Sequence, residues 1–370
     1  MADDLLKYKI GISLIPGIGS INAKKLIAYS GGLEAVFHEK KNSLLKIPGI
    51  GESLADRITN HNILDKASRE VEFIAKFNIG YSFYLDENYP ARLKNCEDAP
   101  VIIYYKGKVD FNKQKVISIV GTRNATEYGR HCCTQLIEDM KARQHDVIIV
   151  SGLAYGIDIC AHRASLKNGF ETIAVLGHGL AMVYPSLHKN TAIEICSHGA
   201  LLSDFVSDTQ PERNNFVKRN RIIAGLSDAT IVIESASKGG ALITADIANS
   251  YNRDVFAFPG RVEDNSSHGC NWLIKKNKAA LIENIIDLEY LLGWDSPLES
   301  HKPLQTQMFV DLTSDETRIL NILREHGDLP IDNISLYANL PVSSVSAMLL
   351  NIEFAGLVRS LPGKVYHAGK

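Results

Sequence analysis

The chain predicts an α/β fold: an open, mostly parallel sheet covered by helices, with a small helical domain before it and another small domain after it. Two observations carry this. Between residues 115 and 292 short β-branched runs alternate with helical apolar spacing, and such alternation implies crossover helices on both faces of a parallel sheet. In addition, 45% hydrophobic residues, 22% charged residues and only 12 prolines in 370 residues exclude disordered, collagen-like and coiled-coil chains. At roughly 150 residues per domain, two to three domains fit, with boundaries expected at 1–80, 81–292, a linker at 293–311, and 312–370.

In the first region Leu14-Ile-Pro-Gly-Ile-Gly19 returns as Lys46-Ile-Pro-Gly-Ile-Gly51, each copy opening an amphipathic run. The pattern resembles the helix-hairpin-helix motif, whose turn amides can hold a phosphate. The first copy carries Lys24 and Lys25 but the second Glu52 and Asp56, so a hairpin that merely packs two helices weighs at least as much. Strand-like patches YSFYL and VIIYY follow. Strands are then expected at Val116 to Val120, Val147 to Val150, Thr172 to Leu176, Ala200 to Asp204, Ala229 to Glu234 and Asp254 to Phe258. The stretch from Gly293 to Pro303 has no periodic apolar face and reads as a linker. Three helical patterns and the strand-turn-strand LVRSLPGKVYHA then make a winged-helix-like domain. Its third helix, Val342 to Ala355, carries Ser343, Ser344, Ser346, Asn351 and Glu353 without a basic residue, which favours protein contact or structure over reading duplex bases.

Forty Lys and Arg against forty-two Asp and Glu leave a net charge of -2, so any anion site must be local. Six cysteines without a C-x-x-C pair suggest neither a disulfide framework nor a zinc ribbon, and fit a reducing cytoplasm. No signal-peptide pattern and no run of 18 apolar residues occurs, so no membrane association is expected.

Chemistry is expected at the carboxyl ends of the strands, where open parallel sheets bind ligands. There Val120 runs into Gly121-Thr122-Arg123, Val150 into Ser151-Gly152, Leu176 into Gly177-His178-Gly179, Glu234 into Ser235 through Gly240, and Phe258 into Pro259-Gly260. Glycines admit close approach, and helix-start amides carry partial positive charge, so such a rim suits phosphates. The common fingerprints are missing: Gly121-Thr-Arg-Asn-Ala-Thr126 lacks the later glycines of G-x-G-x-x-G, and G-x-x-x-x-G-K-[ST], H-E-x-x-H and G-x-S-x-G do not occur.

Cations take their place. The segment Arg213-Asn-Asn-Phe216-Val-Lys218-Arg219-Asn220-Arg221 puts four basic residues and one ring before an apolar helix, the combination that tracks an unpaired strand's backbone and stacks its bases. A solvated basic helix start is the bland reading of that run alone, but Arg123 and Lys238, on other strand-end loops, aim at the same rim. Asp158 and His162, four apart, can share a helix face; a local structural bond outweighs acid-base catalysis, since no nucleophile accompanies them.

Gly121-Thr-Arg123, Ser151-Gly-Leu-Ala-Tyr-Gly-Ile-Asp-Ile-Cys-Ala-His162, Phe216-Val-Lys-Arg-Asn-Arg-Ile-Ile-Ala-Gly-Leu-Ser227, Lys238-Gly-Gly-Ala-Leu-Ile-Thr-Ala245, Phe258-Pro-Gly260 and Gly269-Cys-Asn-Trp-Leu-Ile274 together resemble the DNA-processing protein A (DprA/Smf) family. The resemblance implies an extended Rossmann-like domain that binds single-stranded DNA, forms a homodimer, and loads the RecA recombinase onto incoming strands during natural transformation, without catalysis or cofactor. By motif it implies phosphate contacts from Arg123, Arg219 and Arg221, with Lys238, Thr244 and Asn271 lining the same groove; Arg213 and Phe216 supply a cation and a base-contacting ring. Gly121, Thr122, Ser151, Gly152, Lys218, Asn220, Gly239 and Gly240 complete the expected site. Val217 stands where the family often has Pro, and Ala181 and Met182 where Asp is frequent.

The rival expectation is a nucleotide-cleaving enzyme of the nucleoside monophosphate phosphoribohydrolase type, which shares a Rossmann-like sheet and the motif P-G-G-x-G-T-x-x-E. Here Lys238 replaces the Pro, Leu242 and Ile243 replace the later Gly and Thr, and Asp246 leaves the catalytic carboxylate unsecured.

Overall fold

The computed structural model describes residues 2–59, 62–294 and 312–369. Nine strands form its main sheet: β1 (Gly80–Phe83), β2 (Ile102–Gly107), β3 (Val116–Val120), β4 (Ile148–Ser151), β5 (Thr172–Val175), β6 (Gly199–Ser203), β7 (Ala229–Val232), β8 (Asp254–Ala257) and β9 (Ala280–Leu281). Their order is β1-β2-β6-β5-β4-β3-β7-β8-β9. From β6 to β9 every pairing is parallel, as the alternation predicts.

The patches YSFYL and VIIYY add something the parallel expectation lacks. They become β1 and β2, antiparallel to each other and, through β2, to β6. Only residues 108–115 separate β2 from β3, too few for a crossover helix, so β2 runs the other way, between β6 and the edge strand β1.

Alternation along each strand buries both faces. Val116, Val120, Ile148 and Val150 face the helices Arg213–Leu226 and Gly240–Ser250 through Ile222, Ile223, Ala241 and Ala245. Ile117, Ile119 and Ile149 face the helices Glu127–Ala142 and Ile157–Lys167 through Leu136, Ile137, Ile157 and Ala161. The sheet is thus a rigid platform whose loops, free of packing duty, carry the polar residues.

The N-terminal helices close a separate core around Ile10, Leu26, Val36 and Leu44 and press it onto Phe83 and Tyr104 of β1 and β2. Both I-P-G-I-G repeats lead into helices, Ser20–Tyr29 and Glu52–Ile58, and Arg57 of the second donates to the Pro16 carbonyl of the first at 3.1 Å. Glu70 reaches across to the loop after β6, accepting from the Ser207 amide at 3.0 Å and its hydroxyl at 2.6 Å.

The C-terminal domain has helices Ser314–His326, Ile331–Ala338 and Val342–Phe354 and a three-stranded sheet ordered β10 (Leu329–Pro330), β12 (Val365–Ala368), β11 (Val358–Leu361). It is a winged helix. Thr313 and Glu316 close a capping box at its first helix. The wing turn lies on the main domain: Arg253 donates to the Pro362 carbonyl at 3.1 Å, and the Gly363 amide to the Asn252 carbonyl at 2.8 Å. Within the expected linker, residues 295–311 lie outside the described residues. Among the described residues no helix is long and apolar enough to cross a membrane.

Candidate nucleic-acid interface

Strand order reverses at β3, the first strand of the parallel set, with β4 on one side and β7 on the other. Loops leaving β3 and β7 diverge there and leave a crevice. Glu234, 1% exposed, braces it: its carboxylate accepts from the Thr126 amide at 2.8 Å and the Thr126 hydroxyl at 2.6 Å, while its carbonyl accepts from the Thr122 amide at 2.7 Å. Thr126 in turn caps the helix Glu127–Ala142 by accepting from the Gly129 amide at 3.1 Å.

The crevice opens as a cleft of about 680 Å³ lined by Gly121, Thr122 and Arg123 from one loop, Arg213, Phe216 and Asn220 from the helix Arg213–Leu226, and Lys238, Gly239, Gly240 and Thr244 from another loop and the helix it opens. Arg123, Arg213 and Lys238 are exposed. The Arg123 guanidinium stands 5.6 Å from the Phe216 ring centroid, and the Tyr184 ring lies 5.8 Å from the same centroid. The Gly240–Ser250 helix has Gly239 as N-cap without a side-chain cap, so its first amides are left to the cleft. Gly177 admits the Phe216 ring: a Cβ there would lie 2.6 Å from Cδ1 of the ring.

Other expected residues are buried in the cleft floor or turn elsewhere. Arg219 is 3% exposed and points into the floor, donating to the Gly152 carbonyl at 2.8 Å and to the Val175 carbonyl. Burial lowers its pKa to about 10, and its Nε has no partner. A Cβ on Gly152 would stand 2.2 Å from its Nη1. Arg219 thus lines the cleft from its floor, where its face of the helix packs on the ends of β4 and β5 and it supports two strand-end loops. Arg221 and Lys218, three apart, share a different helix face and line a second cleft of about 420 Å³ with Gly19 and Ser20. There Arg221 pairs with Asp204 at 2.8 Å and donates to the Asp98 carbonyl. Asn271 staples the Phe258-Pro-Gly260 turn instead of lining the groove: it donates to the Gly260 carbonyl at 2.9 Å and accepts from the Gly260 amide at 3.1 Å. Ser151 is buried, its hydroxyl donating to the Ile119 carbonyl at 2.6 Å.

Asp158 lines the cleft floor, where burial raises its carboxyl pKa. His162 is fully buried: Thr172 donates its proton to the Ile149 carbonyl at 2.7 Å, so His162 Nδ1 donates to the Thr172 hydroxyl at 2.7 Å, and Nε2 has no partner. Asp158 accepts from the Ala154 amide at 3.4 Å, so each of the two has partners of its own. Asp246, the carboxylate weighed for a nucleotide-cleaving enzyme, pairs with Lys278 at 2.8 Å on the exposed side of its helix and does not line the cleft. Tyr184 and Glu234 escaped the sequence reading; the ring's only signal was an aromatic before Pro185 in a strand-end loop.

The family described as DNA recombination-mediator protein A matches residues 80–292, and the DprA winged helix domain matches residues 307–364. A protein named Smf from Synechocystis is 30% identical, over 99% of both chains. The X-ray structure of DNA processing protein A from Streptococcus pneumoniae superposes with a TM-score of 0.62 and 31% identity, covering 78% of this chain and 97% of that one. DNA processing protein A from Helicobacter pylori, reported for its single-stranded DNA binding mode, gives 0.52 and 30% over 57% of this chain and 95% of that one. With matched motifs framing a cleft at the switch point of its sheet, the chain belongs to the DNA-processing protein A (DprA/Smf) family.

Proposed function

We propose that this protein binds single-stranded DNA along the switch-point cleft, protects incoming strands, and loads RecA onto them during natural transformation, acting as a homodimer in the cytoplasm. The observation that carries the reading is the meeting of three exposed cations, Arg123, Arg213 and Lys238, with one ring, Phe216, from separate crossovers. Cations grip successive phosphates, the free amide at Gly240, the start of its helix, takes another, and Phe216 stacks on a base. Arg219 and Asn271 hold the loops in place beneath. The relatives' names and the reported binding mode of the Helicobacter protein support the same ligand.

Mobility-shift titration of matched single- and double-stranded oligonucleotides at two salt concentrations tests it. Preference for the single strand, with affinity that falls steeply with salt and varies little with sequence, is expected. Equal affinity for duplex overturns it. The recombinase step is read separately, as faster RecA filament growth on strands already covered by a single-strand-binding protein. Chromatography after incubation with nucleoside monophosphates tests the enzymatic alternative, which free base in the products would favour.

A further inference from the structure

We infer that His178 is a positioning residue of the single-strand cleft: its buried imidazole ties the loop 179–184 to itself and so sets the Tyr184 ring beside Phe216, a role that rests on the reading of this cleft as the strand's track.

His178 lies three residues past the end of β5 and is fully buried. Its Nε2 accepts from the Tyr184 amide at 3.3 Å. A neutral imidazole that accepts at one nitrogen carries its proton on the other, so Nδ1 donates to the Gly179 carbonyl at 2.9 Å. One ring thereby joins the two ends of the loop.

The first part of this loop is held by backbone. The Ser203 hydroxyl donates to the His178 carbonyl at 2.7 Å, the Gly179 amide to the Thr209 carbonyl at 3.0 Å, and the Ala181 amide to the Ser207 carbonyl at 3.2 Å. A Cβ on Gly179 would stand 2.1 Å from the Val206 carbonyl oxygen, so the chain is pressed against its neighbour there. Past Ala181 the tie is the one that His178 makes to the Tyr184 amide. Beyond it, buried His188 closes the far side, its Nδ1 donating to the Leu153 carbonyl at 2.7 Å.

Only a side chain carries this order into the cleft. Tyr184 is exposed, and its ring lies 5.8 Å from the Phe216 centroid at a tilt of 38°. The backbone places a ring on a loop, and a ring already in place stacks on a base without a further ordering cost. Loss of the Nε2 acceptor frees the Tyr184 backbone and lets its ring swing from the wall.

Two variants separate the two bonds. His178→Gln keeps an acceptor oxygen near the place of Nε2, whereas His178→Asn keeps a donor near Nδ1 and lacks that acceptor. Single-strand affinity is titrated for both in the full chain, beside Tyr184→Ala and the double variant of His178→Asn with Tyr184→Ala. His178→Asn is expected to bind about three- to tenfold more weakly, His178→Gln to match the parent, and His178→Asn to change nothing further once the Tyr184 ring is gone. Parent affinity in His178→Asn, or a loss that persists in full in the double variant, overturns the proposal. A histidine-selective nitrogen NMR spectrum of the parent chain, with His178 identified by the signal missing from His178→Gln, reads the tautomer without DNA; a proton on Nε2 overturns it as well. Phe216→Ala in the same titrations keeps the two readings apart. If it binds like the parent, the track lies elsewhere and the positioning role falls with it; if it binds weakly while His178→Asn does not, the positioning role alone falls.

Discussion

The Arg123 guanidinium stands 5.6 Å over the Phe216 ring, although Arg123 leaves the central strand β3 and Phe216 lies on the helix between β6 and β7. A cation and a flat apolar face are thus joined before any ligand arrives. This lowers the ordering cost of a strand that needs both.

Removing the cation alone should weaken binding without loosening the fold. Arg123→Ala and Lys238→Ala each delete an exposed charge, so single-strand affinity is expected to fall about tenfold, and the slope of log affinity against log salt to flatten by about 0.7 for each phosphate no longer neutralised. Isothermal titration across a salt series, beside thermal melts unchanged from the parent, checks both halves. An unaltered slope in both variants removes the cleft as the phosphate track.

Removal of the ring should act on bases. Phe216→Ala is expected to cost about 1–3 kcal/mol of oligonucleotide binding, and Tyr184→Ala a part of that, whereas Tyr184→Phe keeps the parent affinity. An oligonucleotide with abasic sites separates stacking from shape. If the rings stack, it should bind weakly to the parent and lose little more on substitution.

Arg219→Ala should behave oppositely to Arg123→Ala. Its guanidinium donates to two buried carbonyls, those of Gly152 and Val175, and losing it leaves both unpaired. A loss of roughly 2–4 kcal/mol in unfolding free energy is expected, read by urea titration. A stability equal to the parent's would mean the floor reorganises at no cost.

His162 makes acid destabilising. Burial first, then Arg219 and His188, bring its pKa in the fold to about 3, below the ordinary value near 6.5. The folded state therefore binds fewer protons than the unfolded one between these values. The stability this group contributes is whole above about pH 6.5 and drains as pH falls toward 3, at about 1.4 kcal/mol per pH unit. Chemical denaturation at pH 7.5, 5.5 and 4.5 should show this slope in the parent and a shallower one in His162→Gln.

Much of the central domain was legible because strands buried on both faces announce themselves as β-branched runs and their loops as glycine and polar clusters. The runs at Val116 and Ala229 became β3 and β7, and the loops between which the cleft opens were those named from sequence. What was not legible is direction. Arg219 and Arg221 are two apart, which on a helix sends them to different faces. One went under the sheet's loops and the other toward the N-terminal hairpin, and only the packing of the helix decided which. Helical spacing did contain part of the answer, since Arg213, Phe216 and Asn220 fall on one side and Lys218 with Arg221 on another. Tyr184 was hidden for another reason: a lone aromatic in a loop has no period to betray the surface it faces.

Two hydrogens set the shape of the cleft. Where Gly152 and Gly177 have only hydrogen, a methyl would overlap the guanidinium of Arg219 and the ring of Phe216. The partners of these two codons sit on another crossover, so an alanine at either is felt far along the chain, as a displaced cation or an evicted ring. Mutational drift in the strand-end turns is thereby coupled to the helix they face, and neither can be redesigned alone.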